Sequence, residues 1–96
     1  MNINLYNMKE YLERNFKCDN PDFIFPKYYL SGEKPDWRIT IEEGYIPESN
    51  EKGYSVNAWC CNGDGAIVKR CQAGYIKTLD ELRLIIKLVD LPIEIS

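Results

Sequence analysis

Asn62-Gly63-Asp64-Gly65 is the strongest constraint on how this chain folds. Asn-Gly and Asp-Gly both supply the positive φ values that a tight reversal needs, so the runs on either side must fold back on each other. Tyr54–Cys61 and Ala66–Ala73 are rich in β-branched, aromatic and small apolar residues, and they predict two antiparallel strands. With the loop confined to 62–65, Cys61 opposes Ala66, Cys60 opposes Ile67 and Val56 opposes Cys71. Alternation then places Tyr54, Val56, Ala58, Cys60, Ile67, Lys69, Cys71 and Ala73 on one face. Trp59, Cys61, Val68, Arg70 and Gln72 share the other.

Three of the four cysteines lie in this hairpin, which raises the question of a metal or redox site. In the predicted register Cys60 and Cys71 share a face but stand roughly 13 Å apart, too far for a disulfide. Cys60 and Cys61 point to opposite faces, which makes them poor joint ligands. Paired ligands at zinc spacing are absent, as is a Cys-x-x-Cys motif. The thiols therefore read as small core residues, with Cys61 partly exposed and no metal bound. Gly63-Asp64-Gly65 lacks the Gly-Lys-Ser/Thr continuation of a phosphate loop, and Asn62 and Asp64 lack the remaining calcium ligands. The reading implies no cofactor.

Around the hairpin, the periodicity changes from two to 3.6 at both ends. Leu5, Met8, Tyr11, Leu12 and Phe16 form a helical stripe, predicting a helix over 5–16 that Cys18–Asp22 terminates. Phe23–Leu30, "FIFPKYYL", is strand-like, with Pro26 confining it to an edge or bulge. Residues 31–35 read as a loop. Asp36–Ile46 alternates, with Trp37, Ile39 and Ile41 on one face and Arg38, Thr40 and Glu42 on the other. Thr78-Leu79-Asp80-Glu81 is a capping box that starts a helix reaching Asp90, and Pro92 stops it. Its stripe is Leu79, Leu82, Ile85, Ile86 and Val89, widened by Leu84 and Leu88. The tail "IEIS" could add an edge strand. The fold class is a single α+β domain over residues 1–96, helix, four-stranded antiparallel sheet, helix, with both helices on one sheet face.

Composition narrows the function. The chain has 96 residues, no histidine and a net charge of −3. Without histidine, Ser-His-Asp and Cys-His arrangements cannot form. The negative charge argues against general nucleic-acid binding and against an anionic membrane surface. The first residues lack the basic start and apolar run of a signal peptide, and the free thiols suit a reducing cytoplasm. The expectation is a cytoplasmic, non-catalytic binding protein.

The candidate contact surface is acidic. Residues 33–51 hold six acids against two bases. Glu42, Glu43, Glu48 and Glu51 would face a basic surface on a macromolecular partner, protein or ribonucleoprotein, while Tyr45 and Tyr54 would anchor it. The bland alternative is a solvated face with no partner. A small oligomeric assembly protein using "FIFPKYYL" as its edge is another reading.

Two resemblances bear on this. The helix–strands–helix order, with "PKYYLSGEKPDWRITIE" as a strand–loop–strand unit, resembles the double-stranded-RNA-binding domain. That family grips phosphates with lysines at the start of its last helix; the matching positions here are Thr78, Leu79, Asp80 and Glu81, which would repel them. Direct nucleic-acid binding is therefore not expected, and a nucleic-acid-binding module is kept as the alternative. In size, acidity and lack of a catalytic set, the chain is similar to the small inhibitors of phages and mobile elements, including anti-CRISPR proteins. That resemblance implies an inhibitor that occupies a partner's nucleic-acid-handling surface.

Overall fold

The computed structural model of the chain describes residues 8–33 and 36–93. It is an α+β domain in which a five-stranded antiparallel meander lies between two helices in sequence. The elements are α1 (Met8–Asn15), β1 (Lys17–Cys18), β2 (Lys27–Glu33), β3 (Asp36–Tyr45), β4 (Lys52–Cys61), β5 (Ile67–Ile76) and α2 (Leu79–Val89), and the strands are adjacent in chain order.

α1 buries Met8, Tyr11 and Leu12 and leaves Lys9, Glu10, Glu13 and Arg14 wet, as its spacing predicts. Phe16 closes it, its N–H donating to the Leu12 carbonyl at 2.9 Å. The predicted helical residues 5–7 lie outside the described residues. β1 is the strand missing from the four-strand expectation. Lys17 and Cys18 pair with Tyr29 and Tyr28. A two-residue strand is too short for alternation to reveal.

The second predicted strand is displaced. Phe23, Ile24 and Phe25 lie in a loop, and pairing runs instead from Lys27 to Glu33. The cause is local hydrogen bonding: the Asn20 side-chain oxygen accepts from the Lys27 N–H at 3.0 Å and from the Cys18 thiol at 3.4 Å. This holds the loop over residues 19–26 closed on itself. The strand then continues through Ser31 and Gly32, which composition alone marks as loop, because Gly32 pairs with Trp37 and lies directly under its indole.

The hairpin forms with its strands near the predicted places, in a different register. Ala58 opposes Cys71 and Val56 opposes Ala73, two residues from the expected pairing. From Val56 to Cys60 the even shift keeps the side chains on their predicted faces, which is why the core pattern survives; at the loop end Cys61 pairs with Ile67, one residue from the expected Ala66. Irregularities between Cys60 and Cys61, and between Tyr54 and Val56, absorb the offset. Cys60 and Cys71 become diagonal neighbours, closer than the sequence register implied. All four cysteines are free. Cys61 is buried rather than partly exposed.

α2 has its capping box: the Thr78 hydroxyl accepts from the Glu81 N–H, and Glu81 reaches back to the Thr78 N–H. It ends at Asp90 in the left-handed conformation, φ 56° and ψ 40°. Leu82, Ile85, Ile86 and Val89 are buried, but Leu84 and Leu88 face solvent and do not widen the stripe. The buried residues of both helices join Tyr28, Ile39, Ile41, Val56 and Ala58 in one cluster, so a single sheet face is covered. The tail residues 94–96 lie outside the described residues. Among the described residues no helix is long and apolar enough to cross a membrane.

Candidate functional site

The acidic stretch does not form one surface. β3 alternates, so the consecutive Glu42 and Glu43 point to opposite sides of the sheet. Glu42 is exposed on the helix-free face, 4.0 Å from Lys27. Glu43 continues the Trp37, Ile39, Ile41 series inward and is only 2% exposed. Its Oε1 lies 3.1 Å from the Lys52 ammonium, and its Oε2 has no hydrogen-bond partner among the described residues. The hydrogen bond to Glu43 raises the Lys52 pKa above the usual lysine value. Tyr54 is buried too; desolvation, then the Glu43 charge, push its hydroxyl up to about 12. Glu43 and Tyr54, expected at a contact surface, are thus turned into the core. Glu51 pairs with Lys77, and Glu48 is exposed in the turn over residues 47–49.

Tyr45, expected as an anchor, stays accessible, at 48% exposure. It meets Phe25 edge to face, with ring centroids 5.4 Å apart. Phe23 and Ile24, in the same loop as Phe25, are 67% and 81% exposed. These four side chains form an apolar corner. The two segments that build it, residues 19–25 and 42–51, contain six acids and no base; the nearest base is Lys52, across the strand pair from Tyr45 and engaged by Glu43. Among the described residues no ion pair engages Asp22 or Glu48. Sequence reading missed this corner by placing Phe23–Phe25 in a strand. The signal was Asn20-Pro21-Asp22 just before it, which can sustain a longer loop than a simple turn.

The other sheet face carries no helix. Its side chains fall into cross-strand rows. Tyr29, Thr40, Asn57 and Gln72 form one row, and Arg38, Trp59 and Arg70 form the next. The Arg38 guanidinium lies 5.7 Å from the Tyr29 ring centroid. Beside the first row is an open trough of about 410 Å³ whose polar wall includes Lys27, Thr40, Glu42, Ser55, Asn57 and Gln72. The Asn57 Oδ1 at this face is buried and has no partner among the described residues. The trough borders the distortion in β5, where Tyr75 takes φ 65°, a conformation that β-strand residues other than glycine rarely adopt. Alternation had placed Arg38, Thr40 and Glu42 on one face of their strand and Trp59, Arg70 and Gln72 on one face of the hairpin; it did not show that these faces join, nor which residues become neighbours.

Among the described residues no group of three potential ligands could hold a metal ion. Comparison with known protein families, characterised proteins and solved structures finds no match for this chain.

Proposed function

We propose that the protein is a non-catalytic binding protein that docks on a macromolecular partner with a basic surface and thereby inhibits or modulates it. The observation that carries this reading is the apolar corner of Phe23, Ile24, Phe25 and Tyr45 within segments that hold acids and no bases. Exposed aromatic side chains next to unpaired carboxylates are what a contact needs: the rings supply buried area on docking and the charges steer encounter. The contact set is thus Tyr45 and Glu48 from the predicted residues, with Asp22, Phe23, Ile24 and Phe25 added; Glu42, on the opposite sheet face, and Glu51, paired with Lys77, drop out of it. This role is in keeping with the small inhibitors of the anti-CRISPR type, whose targets handle nucleic acid.

The test is quantitative capture from native cells by wild-type protein and by two variants. A genuine partner should be retained by wild type and by Glu43→Gln, which alters only a core carboxylate, and lost with Phe23→Ser/Tyr45→Ala. Equal recovery with the corner variant would remove the corner from the interface. Self-association that disappears in the same variant would favour the oligomeric assembly reading.

A further inference from the structure

The uncovered sheet face differs in character from the rest of the chain. Net charge is −3 overall, yet Lys17, Lys27, Arg38 and Arg70 lie on this face against Asp36, Glu42 and Asp19, whose carboxylate accepts from the Tyr29 hydroxyl. Trp59 stands between Arg38 and Arg70 in one cross-strand row, and Arg38 also lies over Tyr29. Aromatic rings beside guanidinium groups give flat surfaces that stack on planar ligands and cations that meet anions. Tyr29 and Trp59 sit two strands apart and one row apart, about 12 Å, far enough for each to hold a separate planar group. Between them the floor is Thr40 and Asn57, with Gln72 beyond on β5; these polar side chains can donate and accept, and the buried Asn57 Oδ1 has no partner among the described residues.

We propose that this face binds single-stranded nucleic acid, with bases stacked on Tyr29 and Trp59, phosphates met by Arg38 and Arg70, and base edges reaching Asn57 and Gln72. The charge complementarity is local, so the acidic balance of the chain does not oppose it. Two separated rings, cations beside them and a polar floor match the repeat of flat bases and phosphates in a single strand; an acidic protein segment is the other outcome that the test distinguishes. A duplex hides its base faces and offers no stacking partner, so duplex binding stays weak, as expected from Asp80 and Glu81. Those two acids start α2, on the opposite side of the sheet, and do not touch the proposed strand. The inference is independent of the apolar corner.

The experiment is fluorescence anisotropy with labelled oligouridine, oligothymidine and a duplex of the same length, at about 50 mM and 150 mM salt. Wild-type protein is expected to bind the single strands saturably, with quenching of tryptophan emission, and the duplex at least about tenfold more weakly. Trp59→Ala should weaken binding about tenfold or more, the loss of one stacked base. Arg38→Gln/Arg70→Gln, two exposed changes that leave the core alone, should flatten the salt dependence by about 1.4 in logarithmic slope. Tyr45→Ala should bind as wild type does. No binding at low salt would overturn the proposal. So would equal affinity of Trp59→Ala, equal affinity for the duplex, equal loss with Tyr45→Ala, or displacement by polyglutamate as effective as by unlabelled oligonucleotide.

Discussion

Gly32 and Tyr54 show how single positions are fixed by what lies over them. An alanine Cβ at Gly32 would fall 1.9 Å from Nε1 and 2.4 Å from Cε2 of Trp37. The indole is only 8% exposed, so it has no free space to swing into. Gly32→Ala is expected to cost about 2 kcal/mol, with a red shift in tryptophan emission as the ring is displaced. Urea unfolding followed by fluorescence measures both, and an unchanged midpoint would mean that the ring yields without cost. Tyr54 bears on pH. Its hydroxyl is pushed up to about 12 by burial first, then by the charge of Glu43. The unfolded chain ionises near the ordinary value of about 10. Stability from the neutral hydroxyl is therefore complete below pH ~10 and is lost as pH rises toward about 12, on the order of 1–2 kcal/mol. Tyr54→Phe should flatten that alkaline loss, as read by unfolding midpoints at neutral and alkaline pH. Neither feature could be read from composition: Gly32 looked like loop, and Tyr54 looked equally like anchor and core.

At the scale of elements, α2 is the most self-contained. Thr78 and Glu81 satisfy backbone donors at its start by bonds of 3.1 to 3.2 Å, and Asp90 in the left-handed conformation closes its end. Removing the hydroxyl with Thr78→Ala should cost about 1 kcal/mol, while Thr78→Ser should be close to neutral; thermal unfolding by circular dichroism distinguishes them. The Glu81 carboxyl is held below its ordinary value, chiefly by the Lys77 N–H and also by Thr78. Its contribution is present above the ordinary carboxylate value and fades as pH falls through the lowered one, so the acid limb of the stability curve should be shallower in Glu81→Gln. The capping box was legible because all its atoms come from four consecutive residues. β1 was not legible, since its two residues become a strand only through pairing with Tyr28 and Tyr29. The displaced start of β2 has a similar cause: Asn20 hydrogen-bonds Lys27, seven residues away.

For the whole molecule, the distribution of charge matters more than its total. Each of Glu42→Gln, Glu48→Gln and Glu51→Gln removes one negative charge, so the triple variant takes the net charge from −3 to zero. Glu42 and Glu51 pair only with exposed lysines, worth a few tenths of a kcal/mol each, so the fold should hold. The expected change is colloidal: the solubility minimum should move from near the pI of 4.9 toward neutrality, as light scattering across pH would show. A loss of cooperative unfolding in this variant would instead mean that the acidic loop is part of the folded core. By itself, the sequence determined the α+β class, the hairpin, the helical stripes apart from Leu84 and Leu88, and the faces of β3 and most of the hairpin. Those rest on periodicities of 2 and 3.6 and on turn chemistry, which act over a few residues. Only the tertiary structure decided the register of β4 against β5, because the shift of two residues from Val56 to Cys60 leaves those faces intact and so leaves no trace in the pattern. It also decided that the inward face of β3 is still covered at Glu43, which is 2% exposed, whereas at Tyr45 it is open. It likewise made Arg38, Trp59 and Arg70 neighbours: they are far apart in the chain, and cross-strand hydrogen bonding alone brings them into one row.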